Sequence, residues 1–175
     1  MEKKMTKKVI SVALALLMVF SLSGCKKDEV QAYRDELSPV ITDVQSMNQD
    51  VQDTVNAVLE AVNNKDEAAY EENVEKLDKI CKDLKEKYNK IANTTAPAEY
   101  AEDQKLLQQY AEEMDKMLDA SMELYGMAYD YAVTGNLSEE DAAKINNLQN
   151  EINTYANSTT NFDEVLNRVM GLTSK

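Results

Sequence analysis

From Asp28 to Gly171 apolar residues recur at alternating spacings of four and three. That pattern restricts the chain to long helices, each with one buried stripe. The spacing predicts a first helix over about 28–63, with seam rows Val30, Leu37, Val44, Val51, Val58 and Tyr33, Val40, Met47, Thr54, Ala61. Ser38-Pro39 falls inside it. Proline suits a first helical position behind a serine cap, so a kink or a restart is expected there. A second helix over about 65–92 carries Tyr70, Val74, Leu77, Cys81, Leu84, Tyr88 and Ile91, with Asn64 and Glu67 as a capping pair. A third, over about 98–134, carries Leu107, Tyr110, Met114, Met117, Ser121, Leu124, Ala128 and Tyr131, and Gly135 suits its end. A fourth, over about 139–170, follows Ser138, whose partner in a capping box is Asp141. Its seam is Ile145, Leu148, Ile152, Tyr155, Thr159, Phe162, Leu166 and Val169, and its continuity through 157–161 is left open.

Short connections between such helices predict antiparallel neighbours: an all-α, up-down-up-down four-helix bundle over 28–175. Four glycines and two prolines in 175 residues agree with long uninterrupted helices. If each loop is a tight reversal, Leu107 stands level with Leu84, Leu166 and Met47. Cys81 stands level with Tyr110 and Phe162, and Tyr70 beside Ser121, Ile152 and Ala61. The second helix then ends its reach near Tyr125, so the hairpin tip at about 125–148 overhangs the bundle.

Upstream, Lys3, Lys4, Lys7 and Lys8 precede an apolar run from Val9 to Phe20, broken only by Ser11. The run is too short for a stable membrane span and fits a cleaved leader. Leu22-Ser23-Gly24-Cys25 follows. An aliphatic residue, two small residues and a cysteine in that place resemble the lipobox of bacterial lipoproteins. Beyond it the acidic helices and the start Ala96-Pro97-Ala98-Glu99-Tyr100 are loosely similar to small helical lipoproteins of Gram-positive bacteria. The resemblance implies a signal peptide over 1–24, with Leu22, Ser23 and Gly24 read by the signal peptidase. It implies diacylglyceryl and palmitate-type acylation at Cys25, and an extracytoplasmic domain anchored to the cell membrane through a short tether, 25–27. One acyl chain binds membranes marginally, whereas two or three anchor stably.

Charge and residue types exclude much of the rest. Nineteen Lys and Arg against 32 Asp and Glu give a net charge of −13, which repels nucleic acid. The chain has no histidine, the commonest general base and transition-metal ligand. The seams hold one carboxylate, Asp103, where a carboxylate-bridged metal centre needs several. Met114 and Met117, with Met122 and Met127 nearby, are thioethers of the kind that hold Cu(I). The expected register sets Cys81 beside Tyr110 rather than Met117, so these sulfurs read as core packing. No metal, cofactor, catalytic residue or enzyme activity is expected. Glu71-Glu72, Glu112-Glu113-Asp115 and Glu139-Glu140-Asp141 read as solvated faces.

The tip carries Tyr125, Met127, Tyr129 and Tyr131 around Gly126. Tyrosine offers large contact area with few torsions, so this segment is the candidate surface for a protein partner, a small ligand or a second copy in a homodimer; the alternative is that the tip bends over and closes the bundle, with the tyrosine rings as its lid. The expected role is a binding or structural module at the cell surface. The alternative is a small-ligand binder whose pocket lies between the helices, where Thr54, Ala61, Ser121 and Ala128 leave room.

Overall fold

The computed structural model describes residues 28–172. The lipobox positions Leu22, Ser23, Gly24 and Cys25, and the side chain of Thr159, lie outside the described residues. Among the described residues the fold is all-helical: α1 spans Asp28–Asn64, α2 Glu67–Asn93, α3 Ala101–Thr134 and α4 Glu139–Met170, with a 3-10 turn, Ala98–Tyr100, ahead of α3. Among the described residues no helix is long and apolar enough to cross a membrane.

Several helix ends have a local cause. α1 runs through Pro39 without a restart, against the expectation from Ser38-Pro39. Pro39 is exposed, while Leu37, Val40, Ile41 and Val44 around it are buried, so packing on both sides holds the helix across the missing N–H. At its end the Asp66 N–H reaches back to the Ala61 carbonyl at 3.0 Å, with Lys65 left-handed at φ 56°. The cap of α2 is therefore Asp66, whose Oδ1 accepts from the Ala69 N–H at 3.1 Å, rather than the expected Asn64–Glu67 pair. Ser138 caps α4 by accepting from the Asp141 N–H at 3.0 Å, and Gly135 and Gly171 close α3 and α4 at φ 69° and 74°. α4 is one helix through 157–161.

α1 packs on α2 and α3, α2 on α3, and α3 on α4. Most seam residues form the core, widened on α1 by Ile41, Val55 and Leu59 and on α3 by Ala111, Leu118 and Ala120; Met47, Tyr70, Val74 and Tyr155 pack against it half-buried, and Thr54, Ser121, Ala128 and Tyr131 are half-buried too. Two of the three registers follow the sequence reading. Lys87 of α2 meets Asp43 of α1 at 2.8 Å, and Tyr110 of α3 stacks on Phe162 of α4 with centroids 3.8 Å apart.

The α2–α3 register differs, by roughly two helical turns. Tyr88, not Cys81, joins the Tyr110–Phe162 pair, at 5.6 and 6.3 Å. Tyr70 packs on Tyr129, not beside Ser121. The cause lies in the connection. Thr94 and Pro97 are extended, at ψ 133° and 156°, and the 3-10 turn adds length, so the loop is a run along the end of the molecule and not a tight reversal. Gln104 then meets the end of α2: its Nε2 donates to the Ile91 carbonyl at 2.8 Å and the Ala92 carbonyl at 2.6 Å. Gln108 adds a bond to Ala92 at 3.2 Å.

Candidate functional site

That shift decides what the tyrosine segment can be. α2 extends along α3 as far as Tyr129, so the expected overhang from Tyr125 is corrected: Leu124, Tyr125, Ile145 and Leu148 are buried. Tyr125 points into the interior near Cys81, and burial followed by the Cys81 charge pushes its phenol well above the usual range. Met127, Tyr129 and Tyr131 are half-buried. Tyr129 lies flat on Tyr70, with centroids 3.9 Å apart and planes 7° from parallel. Partial desolvation of Tyr129, then Glu67, Glu71, Asp66 and Asp130, raise its phenol pKa. Among the described residues Gly126 has no close backbone neighbour: a Cβ there would meet only the Tyr70 hydroxyl, at an ordinary 3.9 Å. Val133 and Leu137, next along the hairpin, are exposed apolar residues.

Behind Tyr125 lies a cavity of about 30 Å³ between α1, α2 and α3. Its wall includes Val51 and Val55, Cys81 and Leu84, and Met117 and Met122. Cys81 thus shares a cavity with Met117, contrary to the expected level beside Tyr110. Burial, with Asp78 next, pushes the Cys81 thiol up to about 11, so it is protonated at neutral pH. Among the described residues no group of three or more His, Cys, Asp and Glu could hold a metal ion. A separate groove of about 310 Å³ runs between α1 and α2, lined by Asp43, Asp50, Asp83 and Lys87 over Met47 and Ile80.

At the opposite end a polar cluster joins all four helices. The Tyr33 hydroxyl of α1 donates to Gln104 Oε1, whose amide holds the end of α2. Arg34 donates from Nε to the Val169 carbonyl at 2.7 Å and from Nη2 to the Tyr100 hydroxyl at 2.9 Å. Asp103, the one carboxylate in seam register, accepts from Arg168 Nη2 at 2.8 Å. Sequence reasoning missed Gln104, Arg34 and Arg168. Gln104 stands three residues before Leu107, one helical step back along the seam, and that spacing was the available signal.

Compared with protein families, curated proteins and solved structures, the chain matches none.

Proposed function

We propose that the chain is a bacterial-type lipoprotein: acylated at Cys25, held at the extracytoplasmic face of the cell membrane, and carrying an antiparallel up-down-up-down four-helix bundle with a non-enzymatic binding or structural role. The observation that carries this reading is Leu22-Ser23-Gly24-Cys25, behind a basic and then an apolar segment, with α1 beginning at Asp28 directly after it. So short a tether sets the bundle against the lipid surface, with the Arg34–Gln104–Arg168 end nearest. The protonated Cys81 thiol supports a non-catalytic role, because the thiolate is the nucleophile. The 30 Å³ cavity is about a tenth of the smallest ordinary organic-ligand pocket, and the 310 Å³ groove between α1 and α2 is open and lined largely by Asp43, Asp50, Asp83 and Lys87 where ligand pockets are mostly apolar, which favours surface contact over an internal small-ligand site.

Feeding cells that express the full chain with an alkyne-tagged palmitate tests the anchor. The expected result is a labelled, membrane-fraction protein, with label and membrane retention both lost in Cys25→Ala. An unlabelled wild type, or a Cys25→Ala chain that stays in the membrane fraction, overturns it. The contact surface runs over Met127, Tyr129, Tyr131 and exposed Val133, and acts on a protein partner or a second copy. A photo-crosslinking residue at Val133 should give a discrete adduct that a control at Glu72 does not. A self-adduct identifies a homodimer, and no adduct above the control overturns a binding role for this end.

A further inference from the structure

We infer that the cavity between α1, α2 and α3 is a binding site for one soft monovalent metal ion, Cu(I) or its probe Ag(I), held by the Cys81 thiolate and the Met117 and Met122 thioethers. Three observations carry this. First, all the sulfurs lie on the wall of one cavity: Cys81 from α2, Met117 and Met122 from the facing α3. The α2–α3 register brings them there, and the register expected from the sequence would have separated them. Second, the cavity is about 30 Å³, the size of one small guest and not of an organic molecule. Third, the rest of the wall selects the kind of ion. Val51, Val55, Leu77, Leu84 and Leu118 offer no oxygen or nitrogen, the Ser121 hydroxyl donates to the Met117 carbonyl at 2.7 Å, and Tyr125 adds one phenol; a hard cation needs six or more oxygen ligands.

Charge balance selects the oxidation state. Binding through a cysteine thiol exchanges its proton for the metal: Cys–SH and M⁺ give Cys–S–M and H⁺, the proton leaving to solvent. One thiolate then neutralises one monovalent ion, and two neutral thioethers complete a trigonal sulfur set. A neutral complex sits in an apolar cavity without the heavy cost of a buried charge. A divalent ion would leave a net positive charge there. Methionine is unbranched and flexible at its end, so Met117 and Met122 can close on an ion by changing rotamer without moving the backbone.

The test is an anaerobic Cu(I) titration of the full chain carrying Cys25→Ser, with a coloured Cu(I) chelator as competitor and Ag(I) as a redox-inert check. The expected result is one ion per chain, with an ultraviolet thiolate-to-metal band. Cys81→Ala should abolish binding and the band. Met117→Leu and Met122→Leu keep the volume and helicity, and each should weaken binding at least about tenfold, the loss typical of disturbing a metal site. Circular dichroism confirms that each variant is folded, and a folded Cys81→Ala that no longer binds supports the site. No binding by the parent chain overturns the proposal. So does binding that both leucine variants retain in full, because a lone thiol would then account for it.

Discussion

The two ends of the helices are fastened by different chemistry. Where α1 begins and α4 ends, directional bonds tie four helices together: Tyr33 to Gln104, Gln104 to the last carbonyls of α2, Arg34 to Val169 and Tyr100, Arg168 to Asp103. Where α1 turns into α2 and α3 into α4, aromatic area replaces them: Tyr70 on Tyr129, Tyr125 buried behind, Val133 and Leu137 facing solvent. Hydrogen bonds with one buried geometry fix a register, because a slip of one turn leaves donors and carbonyls unpaired. Stacked rings tolerate sliding. The first end therefore sets the alignment of α2 on α3, and the second end, with the cavity between, inherits it.

Gln104→Ala should break that division most severely. It leaves the Ile91 carbonyl with a long 3.4 Å bond from the Thr94 N–H, removes the acceptor of the Tyr33 hydroxyl in a buried setting, and weakens the hold on Ala92, which keeps Gln108. A loss of about 3 kcal/mol in urea unfolding is expected. Because the register depends on this residue, the Tyr70–Tyr129 end should loosen too, seen as faster amide exchange around Tyr129. A loss confined to the first end would refute the idea that one end sets the other.

High pH attacks both ends through their phenols. Burial, then the Asp103 and Tyr100 charges, raise the Tyr33 pKa, and burial raises that of Tyr125. Below the ordinary phenol value of 10.0 both phenols are neutral whether the chain is folded or not, and their contribution is intact. Above it the unfolded chain releases these protons while the folded chain keeps them, so stability falls as pH climbs from about 10 towards the raised folded values. Each unit of raised pKa that is traversed costs roughly 1.4 kcal/mol. The urea midpoint should drop between pH 9.5 and pH 11, by less in Tyr125→Phe. A midpoint that holds steady would show that these phenols ionise freely in the folded protein.

Tyr129→Ala should cost about 1 kcal/mol, the scale of one aromatic pair, and leave exchange near Gln104 unchanged. It separates stability from binding at this end. If adduct formation at Val133 disappears while the loss stays this small, the surface is a contact site. If stability falls several-fold further, the rings are core.

The sequence made most of the fold legible because every helix was reported by its stripe, and α3 and α4 by their caps as well. Ser138, Gly135 and Gly171 stand where the helix ends fall. What stayed hidden was a relation between helices. A stripe repeats every turn or two, so it fits equally well when slid by a heptad. Choosing among the slides took an extended Thr94–Pro97 path and a buried glutamine amide, neither of which leaves a periodic trace. That one choice moved Cys81 from Tyr110 to Met117 and removed the overhang at Tyr125. Sulfur chemistry dismissed on the wrong register became plausible on the right one.

Gly126→Ala gives the smallest and most diagnostic change. Helix-interior glycine costs roughly 0.5–1 kcal/mol relative to alanine through lost backbone freedom, and such residues are kept when something must approach closely. Among the described residues nothing does: the added Cβ meets only the Tyr70 hydroxyl, at 3.9 Å. The isolated protein should therefore gain stability by that amount, read as a higher urea midpoint with unchanged slope. Two explanations of the glycine then part company. If the gain appears and the Val133 adduct persists, Gly126 is incidental to both ends. If the gain appears and the adduct is lost, the approaching backbone belongs to the partner, and its path runs over Gly126 beside the Tyr70–Tyr129 stack. No gain would mean that the methyl disturbs the stack itself, and the far end would be as exacting in its geometry as the first.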